Sequence, residues 1–145
     1  MVRRTLTQLR NPTLAGRGMI TRRISLHAPP HTVYVTLLDS DRLTAITGQP
    51  ASINPVMGGD FSALGGYLSG VVSELLEDRL LVIAVRPDEP GWEVTHLASA
   101  TFMLKPDDAG CLLNFFQQDV PTQYFDFMTD LWEEHFWARL PAALR

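Results

Sequence analysis

The chain has a single cysteine, no long hydrophobic run, and no Asp or Glu before Asp39. Because Cys111 has no second cysteine to pair with, an intramolecular disulfide is excluded. This fits a reducing compartment, so we expect a cytoplasmic location. No stretch of about 18 apolar residues occurs, so the sequence predicts no membrane span. The 145 residues, of which 46% are hydrophobic and 19% charged, suit one globular domain with its own core.

Because no acidic residue precedes Asp39, the first part of the chain is basic and the rest is acidic. Half of the 12 basic residues precede Asp39, namely Arg3, Arg4, Arg10, Arg17, Arg22 and Arg23. Since the net charge is −4, the remainder is strongly acidic, which argues against a nucleic-acid surface. We interpret residues 1–18 as a flexible basic extension and residues 19–145 as a single domain. A weak contact with an anionic surface and a targeting role for the extension stay open.

The C-terminal segment has the pattern of a long amphipathic helix. Apolar residues recur there three or four positions apart, at Phe125, Met128, Trp132, Phe136 and Leu140. This spacing predicts a helix with one buried face. Pro121 and Thr122 suit its first turn, and Pro141 is expected to end its gripping part near Leu140. About twenty helical residues span about 30 Å, so the helix needs a large surface to lie on.

The preceding chain predicts a sheet that supplies this surface. Strand patterns cover residues 19–28, 49–55, 67–76, 80–86, 94–104 and 111–118, with a hairpin around Phe61. Short helices are predicted at residues 33–38 and 42–46, the second capped near Asp39. Short turns join the strands, so they pair antiparallel. The expected fold class is α+β, a curved antiparallel sheet of six to seven strands around the long helix.

Reactive side chains do not form a recognisable catalytic or metal motif. The four histidines lack metal-ligand spacing, and no Lys-Ser or Lys-Thr follows the glycine pairs. Cys111 has no local nucleophile signature. In the predicted strand 94–104, His96 shares the parity of Phe102 and is expected to point under the helix. Glu74 is predicted on a solvated strand face, and we predict no metal, no cofactor and no catalytic residue.

Several segments, taken in order, resemble the heat-shock protein 90 ATPase activator homologue family. The matching blocks are residues 24–38, 41–43, 55–62, 66–70, 75–86, 101–107, 120–121 and 131–137. That family belongs to the SRPBCC superfamily of START, plant-allergen and polyketide-cyclase proteins. The resemblance implies a helix-grip fold, in which a curved antiparallel sheet wraps around the C-terminal helix. Two short helices follow the first strand in this fold.

The resemblance and the aromatic helix together imply binding of a small apolar or amphipathic molecule between sheet and helix. The candidate ligand contacts are Phe61, Tyr67, Trp92, His96, Phe102, Phe115, Phe125, Met128 and Trp132. Each of them also suits ordinary core packing. Phe127 and Trp137 flank the helix stripe and are candidates for a pocket mouth or a partner surface. The alternatives are a module that assists a chaperone and a small cyclase or hydrolase, and a homodimer is a further candidate partnership.

Overall fold

The computed structural model describes residues 17–144, so most of the predicted extension lies outside the described residues. Arg17 and Gly18 are described, and both belong to the first strand, which therefore begins two residues earlier than predicted. Within the described residues, seven strands form one antiparallel sheet in the order β1-β7-β6-β5-β4-β3-β2. They are β1 Arg17–Leu26, β2 Ser52–Ile53, β3 Asp60–Ala63, β4 Leu68–Leu76, β5 Leu80–Pro87, β6 Ala98–Asp107 and β7 Gly110–Pro121.

One face of the sheet is buried because its strands alternate apolar and exposed residues. The inward side chains of β5 are Leu81, Ile83 and Val85, and those of β7 include Leu113 and Phe115. Successive side chains of a strand point to opposite faces, so this alternation places one set against the helices. The register shifts in the β1–β7 and β4–β5 pairings, which adds local twist to the sheet.

Two short helices follow β1, as predicted. They are α1 Pro30–Leu38 and α2 Ser40–Thr47. The carboxylate of Asp39 caps α2 by accepting a hydrogen bond from the backbone N–H of Arg42 at 2.9 Å. Gly48 ends α2 with a φ of 78°, a left-handed conformation that glycine adopts without strain.

The C-terminal helix consists of several pieces, and we use this name for the whole element. A 3₁₀ turn Thr122–Tyr124 leads into α3 Phe125–Trp132, then a π-helical turn Glu133–Trp137 and α4 Leu140–Ala143. Pro121 ends β7 and so precedes the helix, whereas the sequence suggested its first turn. The interruption falls just before Leu140, where Pro141 predicts it. Within residues 17–144, no helix is long and apolar enough to cross a membrane.

The π-helical turn changes which residues face the core. At about 100° per residue, position i+5 of an α-helix lies about 140° away from position i. Here the N–H of Ala138 donates to the carbonyl of Glu133 at 2.8 Å, so the turn contains one extra residue. Trp137 therefore lies beside Trp132, and only 2% of it is exposed. The expectation that Trp137 covers a pocket mouth or a partner surface is wrong.

The hairpin between β6 and β7 is linked to the edge strand through Asp107. Its carboxylate accepts hydrogen bonds from the Ser25 hydroxyl and from the N–H groups of Ala109 and Gly110, at 3.0 and 2.9 Å for the last two. The Ser25 bond is the main cause that lowers the pKa of Asp107, and the two backbone bonds add to it. The carboxylate thus stabilises the fold above its ordinary pKa, and this contribution is lost as the pH falls through the lowered value.

Replacing Ser25 with alanine is expected to raise the pKa of Asp107 towards its ordinary value of 3.8. The reason is that the hydroxyl donor favours the ionised carboxylate. Carbon-detected NMR titration of Asp107 measures the change, with Thr21→Ala on the same strand as the control. An unchanged pKa of Asp107 in Ser25→Ala would contradict the assignment.

Candidate functional site

The space between the sheet and the C-terminal helix is filled with side chains. Phe102 from β6 meets Trp132 and Phe136 from the helix, and each is at most 2% exposed. The void that remains among them measures about 10 Å³, the room of roughly one water molecule. This face of the helix therefore packs as core in the structure.

An aromatic cluster accounts for the tight packing. The ring centroids of Phe115 lie 4.8 Å from those of Trp132 and of Trp137, and the two indoles stack with 6.2 Å between centroids. Gln117 is fully buried beside them. Its Oε1 accepts a hydrogen bond from the Trp132 indole at 2.7 Å, and its Nε2 donates to the carbonyl of Ala98 at 3.3 Å. Both ends of the Gln117 amide are thus satisfied, which avoids a desolvation cost.

The nine predicted ligand contacts do not line one space. Six of them are buried core residues, namely Phe61, Trp92, Phe102, Phe115, Met128 and Trp132. Phe125 is half-buried and packs over Gly18, where an added Cβ would come within 2.8 Å of its ring. Tyr67 faces a separate open groove. A ligand role for these nine residues stays a prediction.

Trp92 and His96 lie in the loop 88–97, apart from the other candidates. The indole of Trp92 donates to the carbonyl of His96 at 2.8 Å, and its ring contacts that of Tyr124 with 5.3 Å between centroids. The Nε2 atom of His96 lies 2.7 Å from the carbonyl oxygen of Asp119. Because β6 begins at Ala98, the parity argument that placed His96 under the helix is wrong. His96 thus joins the loop to β7, and Trp92 packs the loop against the 3₁₀ turn that follows β7.

A groove beside the C-terminal helix is the best candidate for a functional site. It is open to solvent and encloses about 460 Å³, within the range of small-molecule sites. We call it the helix groove and define it by Gln49, Leu64, Tyr67, Phe127, Asp130, Leu131, Glu134 and His135. The helix supplies the last five residues, and the opposite wall consists of Gln49 after α2 and of the 3₁₀ turn Leu64–Gly66 with the adjoining Tyr67.

The sequence contained part of the signal for this groove. Phe127, Leu131 and Glu134 follow one another at spacings of four and three, so they share one face of the helix next to the core stripe. Phe127 was a candidate for a pocket mouth, and the structure places it in the helix groove, 40% exposed. Gln49 and Leu64 come from distant parts of the chain, and only the tertiary structure brings them opposite the helix.

The helix groove combines apolar surface with carboxylates. Asp130 and Glu134 line it, and no ion pair within 4.0 Å joins either carboxylate to a cation among residues 17–144. Arg139 follows on the same helix, but it donates to the backbone carbonyls of Glu134 and Thr47 at 3.1 and 3.4 Å. The Nδ1 atom of His135 is buried and lacks a hydrogen-bond partner within the described part of the chain.

Tyr67 forms the aromatic wall of the helix groove opposite Phe127. The two ring centroids lie 6.4 Å apart in an edge-on arrangement. The Tyr67 hydroxyl donates to the carboxylate of Glu89, and its carbonyl accepts from the N–H of Asp88 at 2.7 Å. Partial burial is the main cause that raises the pKa of Tyr67 well above 10.0, and the bond to Glu89 adds to it.

This raised pKa predicts how stability changes at alkaline pH. Neutral Tyr67 stabilises the fold fully below its unfolded pKa of about 10, and the contribution is lost as the pH rises towards the folded value. In Tyr67→Phe the fall in the free energy of unfolding above about pH 10 is expected to be shallower than in the parent chain. Urea titrations at several pH values measure this slope. Tyr124→Phe is the control, and identical slopes in parent and Tyr67→Phe would contradict the prediction.

Other polar clusters are explained by local structure. His31, Glu77 and Asp78 place potential metal-ligand atoms within 4.8 Å of one another on the surface. His31 Nδ1 lies 2.8 Å from a carboxylate oxygen of Asp78, so a hydrogen bond between these two side chains explains their close approach. A second open groove of about 490 Å³ lies between α1, α2 and α4, with Arg42 and Leu144 on its walls.

The described residues do not bring catalytic groups together under the helix. Glu74 is exposed on β4, as predicted, while His96 lies in a loop. Cys111 is buried in β7, and burial raises the pKa of its thiol, which disfavours the reactive thiolate. Within residues 17–144, Glu74, His96 and Cys111 therefore do not converge at one point, as a cyclase or hydrolase site under the helix would require.

A seven-stranded antiparallel sheet that packs around a C-terminal helix, with two short helices after β1, defines a helix-grip protein of the SRPBCC type. The chain belongs to the family described as Activator of Hsp90 ATPase homolog 1-like protein, which matches residues 27–145. The resemblance seen in the sequence is thereby confirmed.

Solved structures have the same fold. An HSP90 activator from Plasmodium falciparum superimposes with a TM-score of 0.75 at 18% identity, covering 88% of this chain and 95% of that one. The Aha1 dimer from Colwellia psychrerythraea gives 0.73 at 20% identity, with coverages of 88% and 96%. A protein from Chromobacterium violaceum gives 0.68 at 22% identity, with 87% and 96%. No curated protein matches the chain significantly in sequence.

Proposed function

We propose that the protein is an interaction module that assists a chaperone of the 90-kDa heat-shock class and stimulates its ATPase. The family to which it belongs is described by that activity, and one protein of similar fold is an HSP90 activator. At identities near 20% the structural likeness speaks for the fold, so the activity needs its own support from this chain.

The observation that carries the proposal is the filled interior. A module that binds a protein partner uses its surface, whereas a carrier of internal ligands needs an empty cavity, and the void here holds about 10 Å³. Surface suited to a partner is present in two loops. Val56 and Met57 are 51% and 66% exposed, and Val94 in the loop 88–97 is 74% exposed. A partner that covers these side chains would remove apolar surface from water.

The test uses the purified chain and the 90-kDa heat-shock protein of the same organism. We expect the two to co-elute and the ATP hydrolysis rate of the chaperone to rise with added chain until it saturates. An inhibitor of the chaperone ATPase subtracts background hydrolysis, and heat-denatured chain is the control for non-specific effects. If the folded chain leaves the rate unchanged and does not co-elute, the proposal is wrong.

A second candidate function is the binding of a small apolar or amphipathic molecule. The observation that favours it is the helix groove, which has the volume and the mixed lining of a ligand site. Such a ligand would lie beside the C-terminal helix, because side chains fill the space between the helix and the sheet. Native mass spectrometry of freshly purified protein tests for a retained molecule, and Phe127→Ala should reduce its retention.

Two further properties stay proposals. One protein of similar fold was solved as a dimer, and we propose that this chain also forms a homodimer. Sedimentation equilibrium measures the mass, and a monomer at every accessible concentration would contradict it. The buried, single Cys111 suits a reducing compartment, and we propose a cytoplasmic location on that basis.

A further inference from the structure

The helix groove has an apolar floor and an acidic rim, and this combination indicates the charge of what it binds. We propose that the helix groove binds a small organic cation with an apolar body, such as an amphipathic amine or a quaternary ammonium compound. The inference rests on the second candidate function, ligand binding, and is independent of the chaperone proposal.

The charge argument starts from Asp130 and Glu134. Both carboxylates lie on the helix face that lines the groove, and among the described residues neither has an ion-pair partner. Of the eight lining residues none is Lys or Arg. Two carboxylates four residues apart on a helix repel each other, and a bound cation between them would remove that repulsion. An anionic ligand would add to it.

The aromatic walls favour the same class of ligand. Tyr67 and Phe127 both line the groove, and their rings meet at an angle of 68°, so they do not cover each other face to face. A cation near an aromatic face gains about 0.5–2 kcal/mol, the upper part of that range when water is displaced. The Tyr67 hydroxyl is already engaged with Glu89, so the ring itself is the group that this residue offers.

The apolar body of the ligand would pack on the floor of the groove. Leu64 and Leu131 are the two buried apolar side chains that line the groove. Burying an aliphatic tail there is worth about 25 cal/mol per Å² of apolar surface removed from water. The volume of about 460 Å³ fits a drug-sized molecule and is small for a peptide helix, which favours a small molecule over a protein segment.

The experiment compares three probes that share one tail. Octyltrimethylammonium, 1-octanol and octyl sulfate are titrated separately into the isotope-labelled full chain, below their micellar concentrations. Affinities come from calorimetry and from backbone amide NMR shifts. We expect octyltrimethylammonium to bind about tenfold more tightly than octanol. A cation–π contact and exposed ion pairs together supply a free energy of that size. Its shifts should concentrate at Phe127, Leu131 and Glu134, and octyl sulfate should bind most weakly.

Charge-removing variants separate the carboxylates from general charge effects. Asp130→Asn and Glu134→Gln are each expected to weaken octyltrimethylammonium several-fold and to leave octanol unchanged. Glu77→Gln removes the same charge from an exposed turn outside the helix groove and should change neither affinity. Phe127→Ala should weaken both probes. Because all four side chains are exposed or lie at the helix surface, thermal unfolding can verify that the variants stay folded.

The outcomes distinguish this inference from the function on which it rests. If octanol binds in the helix groove as tightly as the ammonium probe, the cation preference is wrong while ligand binding stands. If none of the three probes binds, both are wrong. If the shifts concentrate around Arg42 and Leu144, or if Glu77→Gln weakens binding as much as Glu134→Gln, the assignment to the helix groove is wrong.

Discussion

Replacing Gly70 with alanine is expected to destabilise the protein by about 4 kcal/mol or more, a large share of the stability of a domain this size. Gly70 lies in β4 and is paired with Val85 of β5 on one side and Phe61 of β3 on the other. A Cβ at this position would come within 1.8 Å of the carbonyl oxygen of Ala84 and 2.9 Å of the Cα of Val85. Both are backbone atoms inside the sheet, so relief requires the β4–β5 ladder to shift.

Gly58→Ala is the matched control for this substitution. Nothing lies within 4 Å of a Cβ added at Gly58, but its φ of 84° is unfavourable for alanine. We expect a cost of about 1–2 kcal/mol from the backbone alone. Urea denaturation followed by circular dichroism compares the two variants. Equal losses at Gly70 and Gly58 would show that the β4–β5 contact is not the cause.

The second large effect is expected at Trp132. In Trp132→Phe the indole N–H that donates to Gln117 at 2.7 Å is lost, while Gln117 stays fully buried. An acceptor left without its donor costs about 1–3 kcal/mol, and the smaller ring leaves a gap in the aromatic cluster. We therefore expect a total loss of about 2–4 kcal/mol in the free energy of unfolding.

Two comparisons separate the hydrogen bond from the packing. Trp137→Phe removes an equally buried indole that makes no hydrogen bond within the described residues, and we expect it to cost less than Trp132→Phe. Adding Gln117→Leu to Trp132→Phe removes the orphaned amide and should recover part of the loss. The free energy of unfolding of the single variant Gln117→Leu is measured as well. If the double variant loses the sum of the two single losses, Trp132 and Gln117 are not coupled.

Much of the fold was predictable because its signals are local. The alternation in β5 and β7 and the turn Asp107 to Gly110 specify antiparallel strands without reference to distant residues. Asp39 marks the start of α2 for the same reason, since a cap acts on the next few residues. The sequence blocks that resemble the family, taken in their order along the chain, were also sufficient to indicate it.

The start of β6 was predicted too early because its preceding loop imitates a strand. Residues 94–97 continue the alternation of β6, yet they do not pair with β5. Trp92 and His96 instead bond within the loop and to the end of β7. Strand pairing depends on residues that are distant in the sequence. An alternating pattern therefore does not indicate where the pairing of a strand begins or ends.

For the C-terminal helix, too, some features follow from the sequence and others only from the tertiary structure. By itself the sequence determined its existence, its inner stripe of Phe125, Met128, Trp132 and Phe136, and its interruption near Leu140. The π-helical turn that brings Trp137 into the core depends on a single shift of hydrogen-bond register, which side-chain periodicity does not encode. Whether the gap under the helix is empty or filled depends on side chains that meet from elements far apart in the chain. Only the tertiary structure therefore decided that the interior is packed and that an open groove, the candidate site, lies beside the helix.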